Sequence, residues 1–228
     1  MDRKEKIRLE RESIELYRST YKQLLIKDDI ELLQENIPTL MLMQHYGAPT
    51  RLLDWSFSPY IAAYFAVCEN EDSDGFIWGF SYDRYKEKGP KQWDIHPEMK
   101  EGGEFNWKLG PAFEEIYKEE NWIVCQFLKV DYGFRRIFSQ EGLFTFASHF
   151  NVDHSLAIKD LLQGSEFHKV YLIRKEDKFK LRQILRNEFG VWHGSLYPDV
   201  VGAAEAVKKS LEDRLRKDLM TLLQKPEL

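Results

Sequence analysis

Apolar residues recur at helical spacing over residues 4–25. Ile7, Ile14, Tyr17, Tyr21 and Leu24 fall near one face with charges elsewhere, which predicts a helix. Asp28 or Asp29 is placed to cap a short second helix, Ile30 to Glu35. Pro38 opens the next helix, because a proline's missing N–H costs nothing in a first turn. Leu40, Met41 and Met43 lead to Gln44 and His45, and Gly47 is placed to end that helix in a left-handed conformation. Ser58-Pro59 is a restart, a serine N-cap with proline at the first helical position, and predicts a helix from Pro59 to Val67. Ile61, Ala62, Ala63, Phe65 and Ala66 make it apolar or small nearly all round, which predicts deep burial. Between the two helices, Thr50 to Phe57 reads as a tight polar loop.

Farther on, Phe76 to Tyr82 predicts a strand bounded by Gly75. Residues 83–110 lack a period and contain Gly89-Pro90, His96-Pro97 and Gly102-Gly103, so they read as a long, mobile loop. Pro111 opens a helix over 111–119. Ile123 to Val130 predicts a strand, expected opposite the 76–82 strand. Leu143 to Phe146 alternates as a strand does, and Val170 to Ile173 is another. Leu181, Ile184, Leu185 and Glu188 mark a helix that Gly190 stops. Asp199 caps the last helix, whose stripe of Val200, Ala204, Val207, Leu211, Leu215, Leu219 and Leu222 is the cleanest periodic signal in the chain. The expected class is α+β: a helical N-terminal portion, a central, mostly antiparallel sheet and a long C-terminal helix. One domain is expected over 1–228, with a helical portion at 1–37, a core at 38–208 and the end of the last helix at 209–228.

The 43% apolar and 14% aromatic content of the 228 residues supports a full globular core. A formal charge of −5 leaves no dominant basic face, which makes nucleic acid an unlikely partner. Cys68 and Cys125 sit among apolar or aromatic residues and read as buried free thiols. The charged start MDRKEKIRLERES has no apolar signal core, and no apolar run nears the roughly 20 residues of a membrane span. A cytoplasmic protein with no membrane partner is expected.

Candidate chemistry concentrates between Gln44 and Ala66. His45 suits a general acid or base, or a structural tie at a helix end. Gln44 can meet a planar polar group or pack the turn. Arg51 can hold a phosphate or carboxylate bidentately, or pair with Asp54 to brace the loop. Trp55 reads as a core anchor or a stacking platform. Thr50 belongs to the same polar set. Gln140 and Glu141, just before a strand, form a second candidate position, with Glu141 able to hold a hydroxyl or act as a base. Gln44, His45, Thr50, Arg51 and Glu141 are expected to line one pocket. HFNVDH, residues 149–154, matches no metal spacing, and no metal is expected. Glycine-rich phosphate loops and a nucleophile elbow are absent from the sequence.

The run QHYGAPTRLLDW followed by SPYIAAYFA resembles the core motif of the FRG domain family. SQEGLFTF, residues 139–146, and LYPDVVGAAEAV, residues 196–207, are similar to later family segments, so the likeness spans roughly residues 20–208. The family's naming Phe-Arg-Gly motif does not occur, and the chain is read as starting after it. The order of segments is similar to that of ADP-ribosyltransferases, which implies an NAD-type nucleotide as ligand or cofactor; the residue chemistry above makes His45 and Glu141 the catalytic candidates and Gln44, Thr50, Arg51, Asp54, Trp55 and Gln140 the binding candidates. The resemblance also implies a bacterial or phage-conflict setting, and it leaves open a non-catalytic ligand-binding or regulatory module. A metal-dependent nuclease or hydrolase fits the residues least.

Overall fold

The computed structural model describes residues 1–21, 36–85, 87, 100–101, 104–105, 125–128, 135–147, 150–151 and 153–223. In chain order the elements are α1 (Arg3–Tyr21), α2 (Asn36–His45), β1 (Leu52–Ser56), α3 (Pro59–Val67), β2 (Gly75–Phe80), β3 (Lys100–Glu101), β4 (Glu104–Phe105) and β5 (Cys125–Leu128). There follow α4 (Arg135–Ser139), β6 (Gly142–Ala147), α5 (His154–Leu162), β7 (His168–Ile173), α6 (Lys175–Phe189), α7 (His193–Leu196) and α8 (Val200–Leu223). Helices open and close the chain and strands lie between them, an α+β arrangement. The helices expected at 30–35 and 111–119 lie outside the described residues.

β1, β6 and β5 form a three-stranded sheet in that order, β2 pairs with β7, and β3 pairs with β4. β6 is central and antiparallel to β5, with Phe146 opposite Gln126 and Phe144 opposite Leu128. A central strand has cover on both faces, and Leu143 through Ala147 are all buried. Two expectations are corrected by this sheet. The segment 50–57 is not a loop: its middle is β1, whose backbone groups are satisfied by β6. The partner of the strand near 123–130 is β6, not the 76–82 strand. Within the expected long loop, residues 83–85 and 87 are helical, continuing from Tyr82 of the expected strand, and β3–β4 form a hairpin with Lys100 opposite Phe105; the remainder lies outside the described residues.

The chain folds as two compact units, Met1–Trp55 with Trp78–Gly133 and Leu143–Lys169, and Ser56–Ile77 with Phe134–Gly142 and Val170–Leu228. In the first, α1 packs on α2, every residue of which from Ile37 to Met43 is buried. Tyr85, Leu143, Ile158 and Leu162 form a second cluster there, ringed by Trp55, Phe80 and Phe167.

In the second unit, Ile61, Tyr64 and Val67 of α3 meet Leu185 of α6 and Leu196 of α7. The rest of α3 is not deeply buried, contrary to its uniform composition: Phe65 is 39% exposed and Ala63 only partly covered. One helix face suffices for this core, and the small residues merely allow α6 to approach closely. The turn after α3 is held by Lys178, a buried lysine whose Nζ donates to the Glu69 and Asn70 carbonyls at 3.0 and 3.1 Å. The helix end itself is met by Arg182, whose Nη1 donates to the Val67 carbonyl at 2.7 Å, a cation placed where helix carbonyls end. The stripe on α8 gives the largest surprise. Its residues face outward, and the helix packs on its own unit through the opposite, polar side.

Candidate functional site

In the first unit, α2 ends as its sequence dictates. Gly47 lies at φ +83°, its N–H donates to Gln44, and the Ala48 N–H reaches back to Met43. This left-handed close turns the chain so that Gln44 faces the strand that follows. The Gln44 side-chain carbonyl accepts from Thr50 Oγ1 at 2.6 Å, and its Nε2 donates to Asp54 Oδ2 at 2.5 Å. Thr50 Oγ1 in turn accepts the Leu52 N–H at 3.1 Å. The amide thus ties the turn to β1. Crowding by protein raises the Asp54 pKa above the ordinary carboxylate value, and the Gln44 hydrogen bond works against that push. Asp54 still keeps an exposed edge, which limits the rise. His45 sets its ring edge-on to Tyr46 at 4.7 Å, beside the Tyr21–Tyr46 contact that links α1 to α2.

Arg51 does not pair with Asp54. Its Nε and Nη2 grip both oxygens of Glu10, each at 2.6 Å, and Nη1 donates to the Ala147 carbonyl at 3.2 Å. The guanidinium lies over the rings of Phe150 and Phe146, with Cζ 3.8 and 5.0 Å from their centroids. Arg51 and Glu10 side chains are only 3% and 8% exposed. The anion that Arg51 was expected to meet is therefore a carboxylate of α1, and the pair joins α1, β1 and β6 in one knot.

Trp55 anchors the next knot. Its Nε1 donates to Thr145 Oγ1 at 2.9 Å, and Thr145 Oγ1 lies 2.7 Å from His154 Nδ1. The chain is fully satisfied when Thr145 donates to a neutral His154. Burial lowers the His154 pKa, Asp153 opposes and Arg51 adds to the lowering. The folded protein therefore binds fewer protons than the unfolded chain below about pH 6.5, so stability falls as pH drops through that value. Thermal melts at pH 7.5 and 5.5 are expected to show a smaller loss in His154→Asn than in the wild type; equal losses would rule out this role for His154.

The second unit gathers the other motif segments. Ser56 Oγ donates to the Gln140 carbonyl at 2.7 Å, and the Phe57 N–H donates to the Glu141 carbonyl at 3.0 Å. Gln140 Nε2 reaches the Leu196 carbonyl at 3.2 Å. Asp199 accepts the Gly202 N–H at 2.8 Å, capping α8, and pairs with Arg136, whose guanidinium lies over Tyr197. The end of DWSF, the QE turn and the LYPD segment thus meet at one junction. Glu141 is exposed and sits at φ +45°, a left-handed conformation unusual for a residue with a side chain.

Beside this junction α3, α6, α7 and α8 line an open pocket of about 280 Å³. Tyr64 and Cys68 form one wall; burial pushes both the phenol and the thiol up in pKa, so both stay protonated near neutrality. Arg182 and Arg216 are spent on Glu71, and Arg182 also on Asp213. Arg186 and Lys209 differ. Arg186 donates to Ser210 Oγ at 3.1 Å with its guanidinium 4.5 Å over Trp192, and Lys209 donates to the Cys68 carbonyl at 3.3 Å. Both cations have neutral hydrogen-bond partners. His193 lines the same space, and burial, helped by Lys209, lowers its pKa.

Of the residues expected to act together, the fold joins Gln44, Thr50 and Asp54 in one hydrogen-bond chain and commits Arg51 to Glu10. Gln140 and Glu141 belong to the second unit. Glu10, Arg186, Trp192 and His193 lie outside the motif segments read from the sequence, and Thr145 lies inside SQEGLFTF without standing out there as a site residue. Among the described residues no group of three or more His, Cys, Asp or Glu could hold a metal, and His149 lies outside them. Among the described residues no helix is long and apolar enough to cross a membrane.

The FRG domain model matches residues 1–75. No curated protein and no solved structure matches the chain significantly. The match begins in α1, earlier than the likeness read from the motif, and ends before the segments at 139–146 and 196–207. The inclusion of α1 has a physical reason, since Glu10 of α1 is the partner of the motif arginine. With the motif run and its geometry, the match over residues 1–75 supports the resemblance to the FRG domain family over that part of the chain.

Proposed function

We propose that this FRG-domain protein binds a nucleotide-type anion, an NAD-type dinucleotide being the leading class, in the cavity of its second unit. The observation that carries the reading is the pair of cations with neutral partners, Arg186 and Lys209, beside the Trp192 ring. A phosphate can accept hydrogen bonds from these two cations, and a flat base has an aromatic edge to pack on. The volume approaches the lower end of small-molecule pockets, about 300 Å³. The motif polar groups of the first unit support the fold in this reading.

Titration calorimetry with NAD, ADP-ribose and ADP tests it. Binding of at least one is expected, weakened tenfold or more by Arg186→Ala, an amount equal to about 1.4 kcal/mol. Absence of heat with all three refutes the reading. A transferase-like reaction has one observation in its favour, the exposed Glu141 with its left-handed backbone, a conformation often held at functional sites. If NAD is also consumed, with nicotinamide released, Glu141→Gln should stop consumption while leaving binding intact.

A further inference from the structure

Amphipathic helices turn their apolar side inward; α8 does the reverse. Gly202 and Ala206 are buried, and Lys209, Ser210, Asp213 and Arg216 are partly covered on the side that meets its own unit. That side is held by polar contacts: Arg182 to Asp213 at 3.0 Å, Gln183 to Asp213 at 3.2 Å and Arg186 to Ser210 at 3.1 Å. The opposite side carries Val200, Val207, Leu211, Leu215, Leu219 and Leu222, each between 56% and 88% exposed. With Ala204 these positions follow one another at spacings of four, three, four, four, four and three residues. Such spacings average about 3.7 residues, close to the helix repeat, so the stripe runs straight along one side. From Lys217 to Leu222 the helix is exposed all round.

From this geometry we infer that α8 pairs along its apolar stripe with α8 of a second copy of the chain. Three observations favour a like copy. The first is area. Each exposed Val or Leu side chain carries on the order of 100 Å² of apolar surface. Six of them, with the stems of flanking residues, bring two copies to about 1,000 Å² buried, which a specific interface requires. The second is charge. Lys208, Glu212, Arg214 and Asp218 lie within or beside the stripe, two of each sign, so two copies meet without a net repulsive field and without the excess charge that would select an acidic or basic partner. The third is cover. An antiparallel pair sets the all-round exposed 217–222 segment of one copy beside the 200–207 segment of the other, where α8 is backed by its own unit.

Sedimentation velocity of the full chain at about 50 µM should show a species near twice 27.1 kDa. Leu211→Glu with Leu215→Glu should yield a monomer, its self-affinity at least about 100-fold weaker. Both sites are exposed in the single copy, so circular dichroism should stay that of the folded protein. Leu219→Lys, placed where the helix is bare on every side, serves as an independent disrupting variant. Leu211→Met with Leu215→Met should remain dimeric. A monomeric wild type at this concentration, or a dimer that survives both the glutamate and the lysine variants, overturns the inference.

Discussion

Arg51→Ala is expected to cost about 3–5 kcal/mol of stability, because it takes the bidentate guanidinium away from the buried Glu10 carboxylate. The mechanism is desolvation more than attraction. A bidentate pair inside a fold roughly offsets the cost of taking two charges out of water, and removing one partner leaves that cost standing for the other. The Ala147 carbonyl loses its Nη1 donor, and the Phe146 and Phe150 rings lose the cation above them. Glu10→Ala should be similarly severe. The double variant should be milder than the sum, with the cycle showing coupling within the range of about 0.5–3 kcal/mol. Asp54→Ala should combine additively with Arg51→Ala, since Asp54 is held by Gln44. Melting curves and urea titrations of these variants beside the wild type decide the point. An Arg51→Ala protein that melts with the wild type would remove the structural role.

The caps and breaks of the fold are legible residue by residue. Pro59 starts α3 from an extended Ser58, whose side chain makes no cap hydrogen bond, and Gly47 closes α2, because the demands of proline and glycine on backbone angles are local. Asp199 caps α8 through an equally local hydrogen bond to Gly202. What the sequence hides is decided by a distant partner. TRLLDWSF carries no strong strand pattern, and β1 exists because β6, far along the chain, supplies its hydrogen bonds. Arg51 takes Glu10, 41 residues away, over an aspartate three residues away. A strand projects neighbours three apart toward different faces, so Asp54 could not follow Arg51 into the core. The α8 stripe is a periodic face, as its spacing says, but a period does not say which side of a helix its own domain uses.

The candidate site is legible in a different sense. The sequence points to segments, and the fold shows how they are used. Gln44, Thr50 and Arg51 spend their polarity on each other, on Asp54 and on Glu10. Ser56, Gln140 and Leu196, also in motif segments, spend theirs at the junction of the second unit. Motif polarity therefore holds the frame, and the cations with neutral hydrogen-bond partners, Arg186 and Lys209, lie outside the motif segments, Lys209 on α8 just past the 196–207 segment. In the proposed reading the ligand would lie against a wall that includes Tyr64 and Cys68 of the matched region.

Gly202→Ala is the sharpest test of that frame, because helix propensity predicts the opposite result. Alanine in a helix is favoured over glycine by about 1 kcal/mol, so a free-standing α8 would gain from the change. In the fold, however, a Cβ at Gly202 would overlap the Tyr197 carbonyl oxygen and side-chain Cβ. The obstacle is largely backbone and cannot swing aside. Relief requires moving the first turn of α8 away from Tyr197. That movement strains the Gly202 N–H bond to Asp199 and the Asp199 pairing with Arg136. Overpacking of this kind costs about 1–3 kcal/mol, more where backbone must shift. The cap adds about 1 kcal/mol if it is lost. The expected net loss is about 2 kcal/mol, a fall of several degrees in melting temperature for a chain of this size. Ala204→Gly, on the exposed side of the same helix, is the control and should cost only about 1 kcal/mol. If Gly202→Ala instead raises the melting temperature, the contact between the start of α8 and Tyr197 does not hold the second unit together, and the junction of the three motif segments is looser than its hydrogen bonds indicate.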